Sequence, residues 1–150
     1  MTSDDGDTWT SQTTDIPSNK AVQAIAYGND MYVAIGLDAE PKNGVFTTST
    51  DGITWTNAVE FGTESHYPYD IVFANNKFVV VCYDNIYSST DGVTWTAADP
   101  IITNVRSVTG SDSLFVGAGG SGKIYSSTDG IVWTEQEDTN VGYFYGAEYH

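Results

Sequence analysis

The chemistry-bearing side chains of this chain are mostly carboxylates. Glu60, Glu64, Asp70, Asp99, Glu135, Glu137 and Asp138 offer many pairs that could flank a glycosidic bond as acid and nucleophile. Nothing in their spacing selects one pair, and among 20 acids in 150 residues accidental pairs are expected. The two histidines are His66, read as a solvent-exposed loop residue, and His150, the last residue; neither stands beside a nucleophile motif. Cys82 follows the apolar run Phe78 to Val81, which predicts a buried small side chain. The glycine-rich stretch from Gly117 to Gly122 links two expected strands and precedes no helix, so it reads as a flexible turn and not a phosphate loop. Asp4, Asp5 and Asp7 bring hard oxygen ligands together around Gly6, as a Ca²⁺ loop does, but lack its remaining ligands. No metal or cofactor is expected.

Binding is the other chemistry on offer. The loop Thr63 to Tyr69, with His66, Tyr67 and Tyr69, and the cluster Tyr143, Phe144, Tyr145 and Tyr149 present aromatic faces beside polar groups, as sugar-binding surfaces do. Against the 20 acids stand five cations, for a formal charge of −15. Phosphate backbones and anionic membranes would repel such a chain, so no nucleic-acid partner is expected. No apolar run approaches the roughly 20 residues of a membrane-spanning helix, so no membrane insertion is expected. One cysteine excludes an internal disulfide, and the acidity suits an extracellular or virion surface.

The elements that must position these residues are set by a repeat. Thr2 to Trp9, Thr48 to Trp55, Ser88 to Trp95 and Ser126 to Trp133 are four copies of one hydroxyl-acid-glycine-tryptophan motif, their tryptophans 46, 40 and 38 residues apart. Between copies an apolar strand, a Gly/Asn/Asp turn and a second strand recur, as in Ile25 to Tyr27, Gly28 to Asp30 and Met31 to Ile35. A third strand leads into each motif, whose Asp-Gly turn starts a fourth. Four short antiparallel strands per ~40 residues predict an all-β chain of β-propeller blades. The reading gives about three complete blades and partial end blades: a partial blade 1–18, blades 19–60, 61–100 and 101–138, and a partial blade 139–150. Val141 to Tyr149 reads as a first strand and turn, with Gly146 matching Gly28.

The motif resembles the Asp-box, or bacterial neuraminidase repeat, of secreted bacterial and phage propellers and of sialidases. Thr2, Asp4, Gly6 and Trp9 fit its spacing. The other copies, with Thr48, Asp51, Gly52 and Trp55, then Ser88, Asp91, Gly92 and Trp95, then Ser126, Asp129, Gly130 and Trp133, place the acid one residue later. The motif residues are expected to build turns and not to touch a ligand. The resemblance implies the fold alone, because sialidases clamp substrate with three arginines and this chain has only Arg106. Its acids are then mostly turn and loop residues. The expectation is a non-enzymatic structural or adhesive module outside the cell. It would associate with itself through strand complementation of incomplete end blades, or form part of a longer propeller. A lectin-like module reading a surface glycan is the alternative, and a glycoside hydrolase the third reading.

Overall fold

A computed structural model describes residues 3, 5–10, 20–38, 43–61 and 66–136, with Lys20 described by its backbone alone. Among the described residues twelve strands form three four-stranded antiparallel sheets, each wound in chain order. The first holds β1 (Lys20–Gly28), β2 (Met31–Asp38), β3 (Gly44–Ser49) and β4 (Val59–Glu60). The second holds β5 (Pro68–Ala74), β6 (Lys77–Cys82), β7 (Ile86–Ser89) and β8 (Thr96–Ala97). The third holds β9 (Val105–Gly110), β10 (Phe115–Gly119), β11 (Ile124–Ser127) and β12 (Thr134–Glu135). The chain is all β, built of propeller blades: β1 lies against β5 and β5 against β9, so the sheets stack with their first strands side by side.

Local chemistry fixes the hairpins. Asn29 and Asp30 (φ 49° and 56°) and Asn75 and Asn76 (φ 48° and 54°) take the left-handed backbone of a two-residue turn, pairing Gly28 with Met31 and Ala74 with Lys77. In the third blade a different tip is closed by the Ser111 N–H donating to the Leu114 carbonyl at 2.8 Å. Gly117 and Gly119 belong to β10, and only Gly120–Gly122 form a short 3₁₀ turn, so half of the expected flexible linker is strand.

The core lies between sheets. Alternation sends Phe78, Val80 and Cys82 of β6 to one face and Val79 and Val81 to the other, and all five are fully buried because a blade packs on each side. The first seam joins Val33, Ile35, Phe46 and Phe61 to Ile71, Phe78, Val80 and Cys82. The second joins Val79, Val81, Ile86, Ala98 and Ile102 to Val105, Val108, Phe115, Tyr125 and Trp133. Each fully buried aliphatic or phenyl side chain contributes about 1.5–3 kcal/mol relative to exposure, so the seams hold the blades together.

Candidate functional site

The four turn motifs are built alike. In the second copy Asp51 Oδ1 accepts the Ile53 and Thr54 N–H groups at 2.8 and 2.7 Å, and Ser49 Oγ accepts the Gly52 N–H at 2.9 Å while donating to Asp51. Ser89 with Asp91 and Ser127 with Asp129 repeat the arrangement. The glycines Gly6, Gly52, Gly92 and Gly130 have φ between 69° and 79°, a backbone that disfavours any side chain. Accepted backbone N–H groups hold the Asp51 and Asp91 carboxyls down at about 2, and lower Asp129 likewise.

This geometry corrects the register read from the sequence. The turn-closing hydroxyls are Ser49, Ser89 and Ser127, not Thr48, Ser88 and Ser126; Thr48 instead bonds Thr56 across the hairpin. The first copy follows the same rule. Ser3 Oγ accepts the Gly6 N–H and Asp5 accepts those of Asp7 and Thr8, so the acid is Asp5 and not Asp4. Thr2 and Asp4 lie outside the described residues, as do Tyr143 and Tyr145.

Between blades the turns act as latches. Asn29 at the first hairpin tip donates its amide to the Thr90 carbonyl in the next blade's motif, and Asn75 donates to the Thr128 carbonyl, both at 3.2 Å. Lys77 Nζ reaches the Asp129 carbonyl at 2.7 Å. Beside the tips, backbone packs on side chain: a Cβ on Gly28 would fall inside the Phe73 ring, and one on Gly110 would come within 2.7 Å of the Ala74 Cβ. Deeper in the second seam Asp70 accepts the Ser107 hydroxyl and the Val108 N–H at 2.9 and 3.0 Å. None of these cross-blade partners has a local sequence signal, since each pair is separated by more than 30 residues.

The face of the first blade that points away from the second carries the same positions, with no cover among the described residues. The pairs Ile25 with Ala34 and Tyr27 with Tyr32 correspond in register to Ile71 with Val80 and Phe73 with Phe78. In the second blade Ile71 is buried in the first seam; in the first blade Ile25 and Tyr27 are each 53% exposed. The tryptophans divide likewise. Trp133 lies 4% exposed against Phe115, while Trp9 stands 59% exposed.

The expected binding residues are used inside the fold. His66, expected in solvent, is buried: its Nδ1 meets Asp84 and the ring packs on Tyr87 at 5.3 Å. Desolvation, reinforced by Asp84, pushes the Tyr87 hydroxyl well above its ordinary range. The Tyr69 ring lies beneath the Arg106 guanidinium, 4.9 Å from its centre, a cation–π contact between blades. Tyr67 is half-buried and its carbonyl accepts the Tyr83 N–H at 2.8 Å. Cys82 is fully buried and its thiol is pushed well up by desolvation, which suits packing and not nucleophilic attack.

The described candidate acids lie on different elements of the fold, and most have partners of their own. Glu60 accepts from Asn43 at 3.1 Å, Glu135 pairs with Lys123 at 2.8 Å, and Asp70 serves the second seam. Asp99 is exposed beside Pro100; Glu64, Glu137 and Asp138 lie outside the described residues, as does His150. Among the described residues no three His, Cys, Asp or Glu side chains converge as metal ligands.

The comparisons agree with this architecture. The computationally designed Ika4 protein superposes with a TM-score of 0.67 at 12% identity, over 95% of this chain and 88% of that one. The designed Ika8 protein gives 0.64 at 12% identity, over 87% of this chain and 40% of that one. YCF48, solved bound to a D1 peptide, gives 0.59 at 18% identity, over 81% and 41%. At these identities the likeness shows the fold alone, and the chain spans about two fifths of Ika8 and of YCF48. None of the curated proteins matches it by sequence. Residues 8–113, more than two thirds of the chain, match the family described as the DUF6242 beta propeller domain, and the chain belongs to that family.

Proposed function

We propose that this is a non-enzymatic structural or adhesive propeller module, working outside the cell or on a virion surface, whose end blades join further blades. The carrying observation is the face of the first blade that no described residue covers, where Ile25 and Tyr27 repeat the positions of the buried Ile71 and the partly buried Phe73. Full burial of such a side chain is worth roughly 1.5–3 kcal/mol, so covering these two, each about half exposed, gains roughly half of that apiece. The turns are those of an Asp-box-type repeat, with its hydroxyl, acid, glycine and tryptophan serving the hairpin. A formal charge of −15 and a single cysteine fit an extracellular or virion setting.

Light scattering on the chain tests this reading. A mass above 16.2 kDa is expected, rising with protein concentration and with salt, because screening relieves repulsion between acidic copies. Tyr27→Asp should return it to the monomer. A monomer at every concentration and salt, or turnover of any glycoside in a substrate panel, overturns the proposal.

A further inference from the structure

We infer that Arg106, held over the Tyr69 ring where the first strands of the blades bulge, is a binding site for the carboxylate of a ligand. The site is built by the second and third blades and is independent of how copies of the chain associate.

The bulges set its place. The first strand of every blade carries one, and register puts all three at the same level: Gln23 stands unpaired between Val22 and Ala24, Tyr69 between Pro68 and Asp70, and Arg106 between Val105 and Ser107. A bulge leaves its extra residue outside the ladder and re-aims the side chain, which is why bulges are frequent beside binding sites. Because β1 lies against β5 and β5 against β9, the three bulged residues occupy adjacent strands, and the contact of Arg106 with Tyr69 shows that two of them meet. None of the three is fully buried: Gln23 is exposed, and Tyr69 and Arg106 are partly exposed.

The guanidinium at this place is unspent. The chain has 20 acids and one arginine, yet among the described residues Arg106 pairs with no carboxylate; its contact is the Tyr69 ring, and its Nε is buried without a hydrogen-bond partner. Asp70, the carboxylate of the same seam, is already committed to the Ile71 N–H, the Ser107 hydroxyl and the Val108 N–H. Stacking on an aromatic face fixes the guanidinium without using its N–H donors. A fixed planar fork with donors to spare matches the two oxygens of a carboxylate. Net charge narrows the ligand further. A formal charge of −15 opposes every negative charge brought to the surface, and a single guanidinium offsets one of them. A singly charged carboxylate therefore fits this site better than a doubly charged phosphate.

The test uses Arg106 as its own probe. It is the one arginine, so its Nε–H gives the one arginine side-chain signal in a nitrogen–proton spectrum of the labelled chain. Glucuronate and N-acetylglycine are titrated, with glucose and inorganic phosphate as controls. A saturable shift of that signal is expected with at least one of the two carboxylates. A response to glucuronate alone identifies a sugar acid as the source, one to N-acetylglycine alone a chain-terminal carboxylate, and a response to both shows that the carboxylate suffices. Arg106→Lys keeps the charge but loses the fork, and should weaken binding about tenfold or more, read at the backbone amides of residues 105–108. No saturable shift with either carboxylate, an equal response to glucose or to phosphate, or Arg106→Lys binding as tightly as the parent overturns the inference.

Discussion

Ser89→Ala tests the turn register directly. Ser89 is buried, and its hydroxyl accepts the buried Gly92 N–H at 2.8 Å and donates to Asp91 at 2.9 Å. Alanine keeps the shape but strands the Gly92 N–H, which costs about 1–3 kcal/mol, and loosens the carboxylate that holds the Val93 and Thr94 amides. The expected loss is about 2 kcal/mol. In a domain of this size 1 kcal/mol moves the melting midpoint by about 2–4 °C, so Ser89→Ala should melt about 4–8 °C lower. The neighbouring Ser88→Ala, whose hydroxyl makes none of the turn's bonds, should lose less than half as much. Thermal denaturation followed by circular dichroism, with urea melts as a second measure, reads both. If Ser88→Ala falls as far as Ser89→Ala, or Ser89→Ala melts with the parent, the register argued here is wrong.

Gly28→Ala should destabilise the chain by about 1–3 kcal/mol through overpacking on Phe73, and adding Phe73→Ala should recover part of that loss; urea melts showing simple additivity of the two would refute the contact. Asn75→Ala should cost about 1–2 kcal/mol and Asn75→Gly less, because glycine keeps the left-handed turn while both lose the bond to Thr128; urea melts showing Asn75→Gly as stable as the parent would show that the latch contributes nothing beyond the backbone. Carbon-detected NMR should find Asp51 and Asp91 titrating near 2, below the unfolded 3.8. Their folded values are depressed, so the stability they confer is full above about pH 4 and is lost as pH falls through 2. Midpoints near 3.8 would contradict the accepted amide bonds.

The blade count was legible because glycine and tryptophan recur at fixed offsets from an acid, and because hairpin asparagines and alternating apolar residues mark strands without outside help. The turn register was not, since each of the last three copies puts two hydroxyl residues side by side: Thr48 and Ser49, Ser88 and Ser89, Ser126 and Ser127. Only the direction of the side chain tells which one reaches Gly N–H, and alternation along the strand decides it. His66 was misread for a different reason. Its partners Asp84 and Tyr87 come from the turn and strand that follow β6, 18 and 21 residues on, and no local pattern reports contacts at that separation. The Gly28–Phe73 contact belongs to the same class, being written in two blades and visible only when they meet.

The acidity and the apolar seams look opposed but occupy different places. Asp5, Asp51, Asp91 and Asp129 sit in the turns, where backbone amides already hold their carboxylates, so blades can pack without stripping water from those charges. Asp70 is the described carboxylate that enters the second seam, and it does so with three donors: the Ile71 N–H, the Ser107 hydroxyl and the Val108 N–H. An added blade therefore meets an apolar face bordered by charge. Repulsion between whole acidic chains acts at long range and weakens with salt, whereas the fit at Tyr27 acts at contact and does not. Salt should therefore change how readily copies associate, while Tyr27→Asp should abolish association at low and high ionic strength alike, which light scattering across a salt series reads.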